Sequence, residues 1–172
     1  MSTSPAPYLE PWLRGTHTEV PAVARAVLHA LELALDDITK WTAGLTDDEV
    51  HAAPLGLTPV AFHLKHIAGS VDRILTYAEG GALSREQVAA IDGELGGVET
   101  LAELLAEVEV SFANADGRIR TLATADPETP RAVGRRQLPI TLGGALVHVA
   151  DHTQRHVGQL VTTAKVLVAR RG

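Results

Sequence analysis

The 172-residue chain has no cysteine. That one absence excludes disulfides, thiolate metal sites, iron–sulfur clusters and a cysteine nucleophile. Positive charge is also short. Lys and Arg number 15 against 21 for Asp and Glu, a formal charge of −6. Such a chain is a poor nucleic-acid binder, and no nucleic-acid partner is expected. Long apolar runs are lacking too. The longest, Leu138 to Ala150, falls short of the roughly 18 residues a bilayer needs and is interrupted by His148. No membrane partner is therefore expected. The opening MSTSPAPYLEPW has no basic stretch leading into an apolar core, so it does not read as a signal peptide, and a cytoplasmic location is the expectation. Alternating strand-like stretches, internal repeats, low-complexity tracts and linkers are all missing.

What remains is one ordinary domain over residues 1–172, with 45% hydrophobic residues, enough for a core. Histidine, at 8, outnumbers Trp, Tyr and Phe together. Four segments repeat apolar residues at steps of three and four. The first holds Val20, Val23, Ala24, Val27, Leu28, Leu31, Leu35 and Ile38, with Pro21 in its first turn. The second holds Val60, Leu64, Ile67, Val71, Ile74 and Ala78, with Thr58 as cap and Pro59 at the first helical position. The third runs from Val98 through Leu101, Leu104, Val108, Phe112, Ala115 and Ile119 to Leu122, with a Thr100/Glu103 capping box. The fourth follows Thr141 through Leu142, Leu146, Val149, Thr153, His156, Leu160, Ala164 and Leu167. Thr46 with Glu49 and Ser84 with Gln87 suggest short extra helices, and Gly80-Gly81 closes the second segment. Residues 1–17 read as an extended arm and 126–139 as a Pro/Arg-rich loop. The expected fold is all-α, a four-helix bundle with short helices in its connections.

A wheel at about 100° per residue places the histidines. On the fourth helix His156 falls inside the apolar stripe, His152 on its edge and His148 on its flank. Imidazoles four apart can grip one ion, and their neutral nitrogens suit zinc, nickel or iron(II). His152-x-x-x-His156 resembles half of a zincin motif, but Thr153 stands where the general-base glutamate would be, which rejects that chemistry. On the second helix the wheel favours His63 over His66 as the inward residue. His29 should face solvent, and His17 and His51 carry no spacing argument.

The segments FHLKHIAGS (Phe62 to Ser70) and LVHVADHTQRHVGQL (Leu146 to Leu160) resemble the DinB superfamily, in particular its DinB-like and YfiT-like metalloproteins. The resemblance spans the chain in helix order and spacing. It implies a four-helix bundle with one metal-ligating histidine from the second helix and a His-x-x-x-His pair from the last. Carried over by residue, the implied ligands are His66, followed by Ile67 and Ala68, with His152 and His156. This reverses the wheel's preference. His63 and His148 become neighbours of the site or a fourth ligand. Asp72, Ser70 and Gln159 are candidate partners for the ligands' other nitrogens.

The resemblance also implies a reaction class, a metal-dependent enzyme of the thiol S-transferase type. Its cosubstrate would be a low-molecular-weight thiol such as mycothiol or bacillithiol, its pKa lowered by the metal. Arg73, Arg135, Arg136 and Arg155 are candidates to pair with carboxylates of a small-molecule substrate. A metal-dependent hydrolase and a non-catalytic, stress-associated metal-binding protein are the alternatives. A homodimer is expected, with the first helix and Tyr8 to Trp12 covering the partner. Otherwise Trp12 plugs the end of its own bundle.

Overall fold

The structure is a computed structural model that describes residues 8–171. Expectations for residues 1–7 lie outside the described residues. In chain order the helices are α1 (Ala22–Thr42), α2 (Asp47–His51), α3 (Val60–Ala78), α4 (Arg85–Gly93), α5 (Leu101–Leu122) and α6 (Leu142–Ala169). The four long ones are α1, α3, α5 and α6. Their contacts run in a ring, α1 on α6, α6 on α3, α3 on α5 and α5 on α1, which makes a four-helix bundle. None of the helices is long and apolar enough to cross a membrane among the described residues.

The ring follows from the apolar stripes. α1 buries Ala24, Val27, Leu28, Leu31, Ala34 and Ile38. α3 buries Leu64, Ile67, Val71 and Leu75, and α5 buries Leu104, Val108, Phe112, Ala115 and Ile119. α6 adds Leu146, Val149, Thr153, Val157, Leu160 and Ala164. Each large aliphatic side chain fully removed from water contributes roughly 1.5–3 kcal/mol. The capping boxes form as read from the sequence, at Thr46/Glu49, Ser84/Gln87 and Thr100/Glu103. Thr141 caps α6 by accepting from the Gly144 amide.

Some local expectations are corrected. Pro21 and Pro59 are the N-caps of α1 and α3 rather than helical residues, and neither helix has a side-chain cap. Val98 lies ahead of α5 and is 94% exposed, because the helix starts only after its Thr100 cap. Residues 126–139, expected as a loop, reach into a hairpin of β1 (Pro130–Val133) and β2 (Leu138–Thr141), antiparallel with Arg131 opposite Ile140. Strands of four residues, each containing a proline, are too short to show alternation in sequence. Arg131 anchors the hairpin by donating to the Ala78 carbonyl. His29, expected in solvent, is buried. The segment before α1, with a 3-10 turn at Pro11–Leu13, folds back and brings Thr16 onto that ring. Trp12 is 62% exposed and does not plug the bundle.

Candidate metal centre

α3 and α6 are neighbours in the ring, so histidines on their facing sides meet. His66, His152 and His156 each bring one ring nitrogen into a group whose members all lie within 4.8 Å of one another. The Nε2 atoms of His66 and His152 are 2.9 Å apart. Ring centroids are 4.3 Å apart for His66 and His156 and 4.7 Å for His152 and His156. Phe62, one turn before His66, stacks on its ring at 5.3 Å and 12°.

The other nitrogens of these rings decide whether the trio suits a cation. His66 Nδ1 donates to Glu94 Oε2 at 2.7 Å, which leaves Nε2 as a lone pair facing the cluster. His156 Nδ1 lies 3.2 Å from His63 Nδ1. His63 is buried, and burial, reinforced by the neighbouring imidazoles, pushes its pKa down to about 4. It is neutral at pH 7 and able to accept a proton bond from His156, which frees Nε2 of His156. His152 Nδ1 is buried without a hydrogen-bond partner among the described residues. Burial also lowers the His152 pKa to about 4 and lowers that of His156. In His152 and His156 the lone-pair form that binds metals is thus favoured at neutral pH. Two lone pairs aimed into one space, backed by an acceptor on each side, fit a divalent ion.

Glu94 owes its position to a chain of local constraints. It caps the C-terminus of α4 and is only 6% exposed. It lies over the α3 stripe His66, Gly69, Arg73. Arg73 donates to Glu94 Oε1 at 2.7 Å, so the carboxylate bridges a guanidinium and an imidazole. Gly69 makes room. A Cβ there would come 2.6 Å from Arg73 Nη1 and 3.3 Å from Glu94 Oε1. Lys65 clamps the segment on both sides of Glu94, donating to the carbonyls of Gly93 and Gly96 and pairing with Glu99. Gly97 adopts φ +112°, where any side chain would be strained and would strike Glu99.

The remaining candidates fall elsewhere. His63 touches His156 from behind, as the inward position on the wheel allows, and does not join the trio. His148 pairs with Asp151, its side chain 50% exposed. Asp72 is held by Arg118 and Gln87, and Ser70 bonds the Ile67 carbonyl, so neither supports a ligand. Gln159 lines a cavity of about 270 Å³ with His63, Thr58 and Thr162. Arg73 is engaged by Glu94 and is not free for a substrate. Arg155 stays exposed next to His156, 3.8 Å from Asp151. Arg135 lines a separate cleft of about 700 Å³ between α4 and the hairpin turn. Sequence reasoning missed Glu94. Its only signal is a lone carboxylate among glycines, Gly93-Glu94-Leu95-Gly96-Gly97, outside every apolar stripe.

A sequence model of the DinB superfamily matches residues 30–160, which take in both histidine segments and Glu94. No curated protein matches the chain.

Proposed function

Because the chain belongs to the DinB superfamily, we propose that it holds one divalent ion on His66, His152 and His156 and works as a metal-dependent enzyme with a small thiol as nucleophile. The observation that carries this reading is the convergence of three imidazole nitrogens from two helices within 4.8 Å. Zinc, nickel and iron(II) all accept neutral imidazoles. When bound, such an ion supplies Lewis acidity that lowers the pKa of a thiol or water at its open position.

The chain's own groups do the rest. Glu94 holds the His66 proton on Nδ1, and His63 takes the Nδ1 proton bond of His156. Phe62 stacks on one face of His66 and helps fix the plane of its ring. Arg155, beside His156 and exposed, is the group for a carboxylate of thiol or substrate. An open fourth position is supported by where the spare histidines sit. His148 is turned to Asp151 and His63 lies behind His156, so neither closes the shell. That favours catalysis over storage of an ion.

The substrate is proposed to be a small electrophile, met with its thiol in the cytoplasm. The exposed apolar segment Tyr8, Leu9, Trp12 and Leu13 is where a second copy would sit in the proposed homodimer. The test uses protein purified without a nickel column, its metal identified by elemental analysis. Chelated and reloaded samples are given electrophiles with a panel of bacterial thiols. Thiol-dependent conjugation or isomerisation that disappears in His152→Ala is expected. Turnover of esters or amides without thiol would replace this reading with hydrolysis. No turnover of either kind would contradict catalysis.

A further inference from the structure

Metal-type side chains also converge on the far side of α1. His17 precedes that helix, and His29 and Glu32 stand one turn apart on it. One ligand atom from each lies within 4.8 Å of the others. His17 Nε2 is 2.7 Å from Glu32 Oε1. His29 is 8% exposed, and its Nε2 lies 3.1 Å from Thr16 Oγ1. The other carboxylate oxygen, Oε2 of Glu32, is buried with no hydrogen-bond partner among the described residues. An orphaned carboxylate oxygen is costly, and a cation held with the two imidazoles would satisfy it. The surrounding charge points the same way. Arg120 already bonds Glu19 and Asp116, and the nearest other guanidinium acting on Glu32, Arg14, is held by Asp36, so Glu32 has no direct guanidinium partner among the described residues. His17 adopts φ +56°, a backbone state uncommon outside glycine, and this brings its ring onto α1.

We propose that His17, His29 and Glu32 form a second divalent-cation site, of the zinc class, that fastens the segment before α1 to the bundle. Two imidazoles and one carboxylate are a donor set zinc accepts. Thr16 Oγ1 stands at the site's edge. A cavity of about 170 Å³, lined by His17, Glu32 and Asp116, adjoins it with room for water to complete the shell. No residue is shared with the His66 trio, so the inference does not depend on that reading. One contact opposes binding. Arg120 Nη2 lies 2.8 Å from His17 Nδ1. Ligation through Nε2 leaves a proton on Nδ1, where it faces another donor. Arg120 must then withdraw to Asp116 and Glu19. This second site is therefore weaker than the first, whose Glu94 and His63 accept rather than donate.

Zinc titration of the chelator-treated full chain tests this, with bound zinc counted after gel filtration and folding followed by circular dichroism. Two zinc ions are expected per wild-type chain, one in Glu32→Gln, and one in the double variant His152→Ala, His156→Ala. Arg120→Gln, which removes the opposing donor and none of the ligands, should tighten the weaker binding step several-fold. One zinc in wild type, one in Glu32→Gln and none in the double variant would overturn the second site and leave the first standing. One, none and one would uphold it and overturn the first. An unchanged weaker step in Arg120→Gln would also contradict it.

Discussion

Which nitrogen His66 turns to the cluster is decided by one carboxylate. Glu94→Gln keeps an acceptor but loses the charge that favours a proton on Nδ1. Zinc affinity, read by competition with a chromogenic chelator, should fall about 10-fold, at the lower end of what such supporting groups contribute. Glu94→Ala should also cost stability, about 3 kcal/mol in urea unfolding, because Arg73 is left as a buried charge without its partner. The histidines give a pH dependence of known sign. His63 and His152 titrate near 4 in the folded metal-free chain, held there by burial, and near 6.5 once unfolded. Below about 6.5 the unfolded state takes up protons that the folded state refuses. Metal-free stability should therefore decline as pH falls from 6.5 towards 4 and be insensitive to these groups above 7. Denaturant midpoints across that range are the check. At this scale the sequence was half legible. Spacing alone pointed to His63, which is indeed the most buried imidazole on α3, yet burial and ligation are different properties. The motif resemblance singled out His66. Neither could reveal Glu94 or the burial of His29, because both depend on segments without periodicity folding back onto helices.

Among the elements, helix existence and several boundaries could be read from local chemistry. A Thr or Ser followed three residues later by Glu or Gln marks a start because the two side chains satisfy each other's backbone donors, and the three pairs read that way here, Thr46/Glu49, Ser84/Gln87 and Thr100/Glu103, all form. Thr100→Ala should cost about 1 kcal/mol in urea unfolding, with the fold retained. The hairpin at β1 and β2 was illegible for the opposite reason. Its pairing is held by tertiary contacts, such as Arg131 to the Ala78 carbonyl, and not by a pattern within the strands. Gly69 is legible only in hindsight. Gly69→Ala should weaken zinc binding while leaving helicity intact, since alanine suits a helix but its methyl displaces Arg73 and Glu94.

For the whole molecule, the ring order of the bundle does the functional work. Because α6 touches both α1 and α3, the histidines of α3 and α6 share one seam, and the His17 cluster lies with α1 and the segment before it. The order of the ring does not follow from four amphipathic stripes, which any arrangement of neighbours would bury. The proposed dimer belongs to this scale as well. Sedimentation equilibrium should give twice the chain mass, and Trp12→Ser should shift it towards the monomer if the exposed N-terminal segment is the contact. The most direct measurement is an anomalous difference map, at the zinc edge, of crystals grown with zinc. A peak at about 2.0–2.1 Å from one nitrogen each of His66, His152 and His156 is the expected result. A zinc-loaded crystal with no peak between α3 and α6 would contradict the central claim.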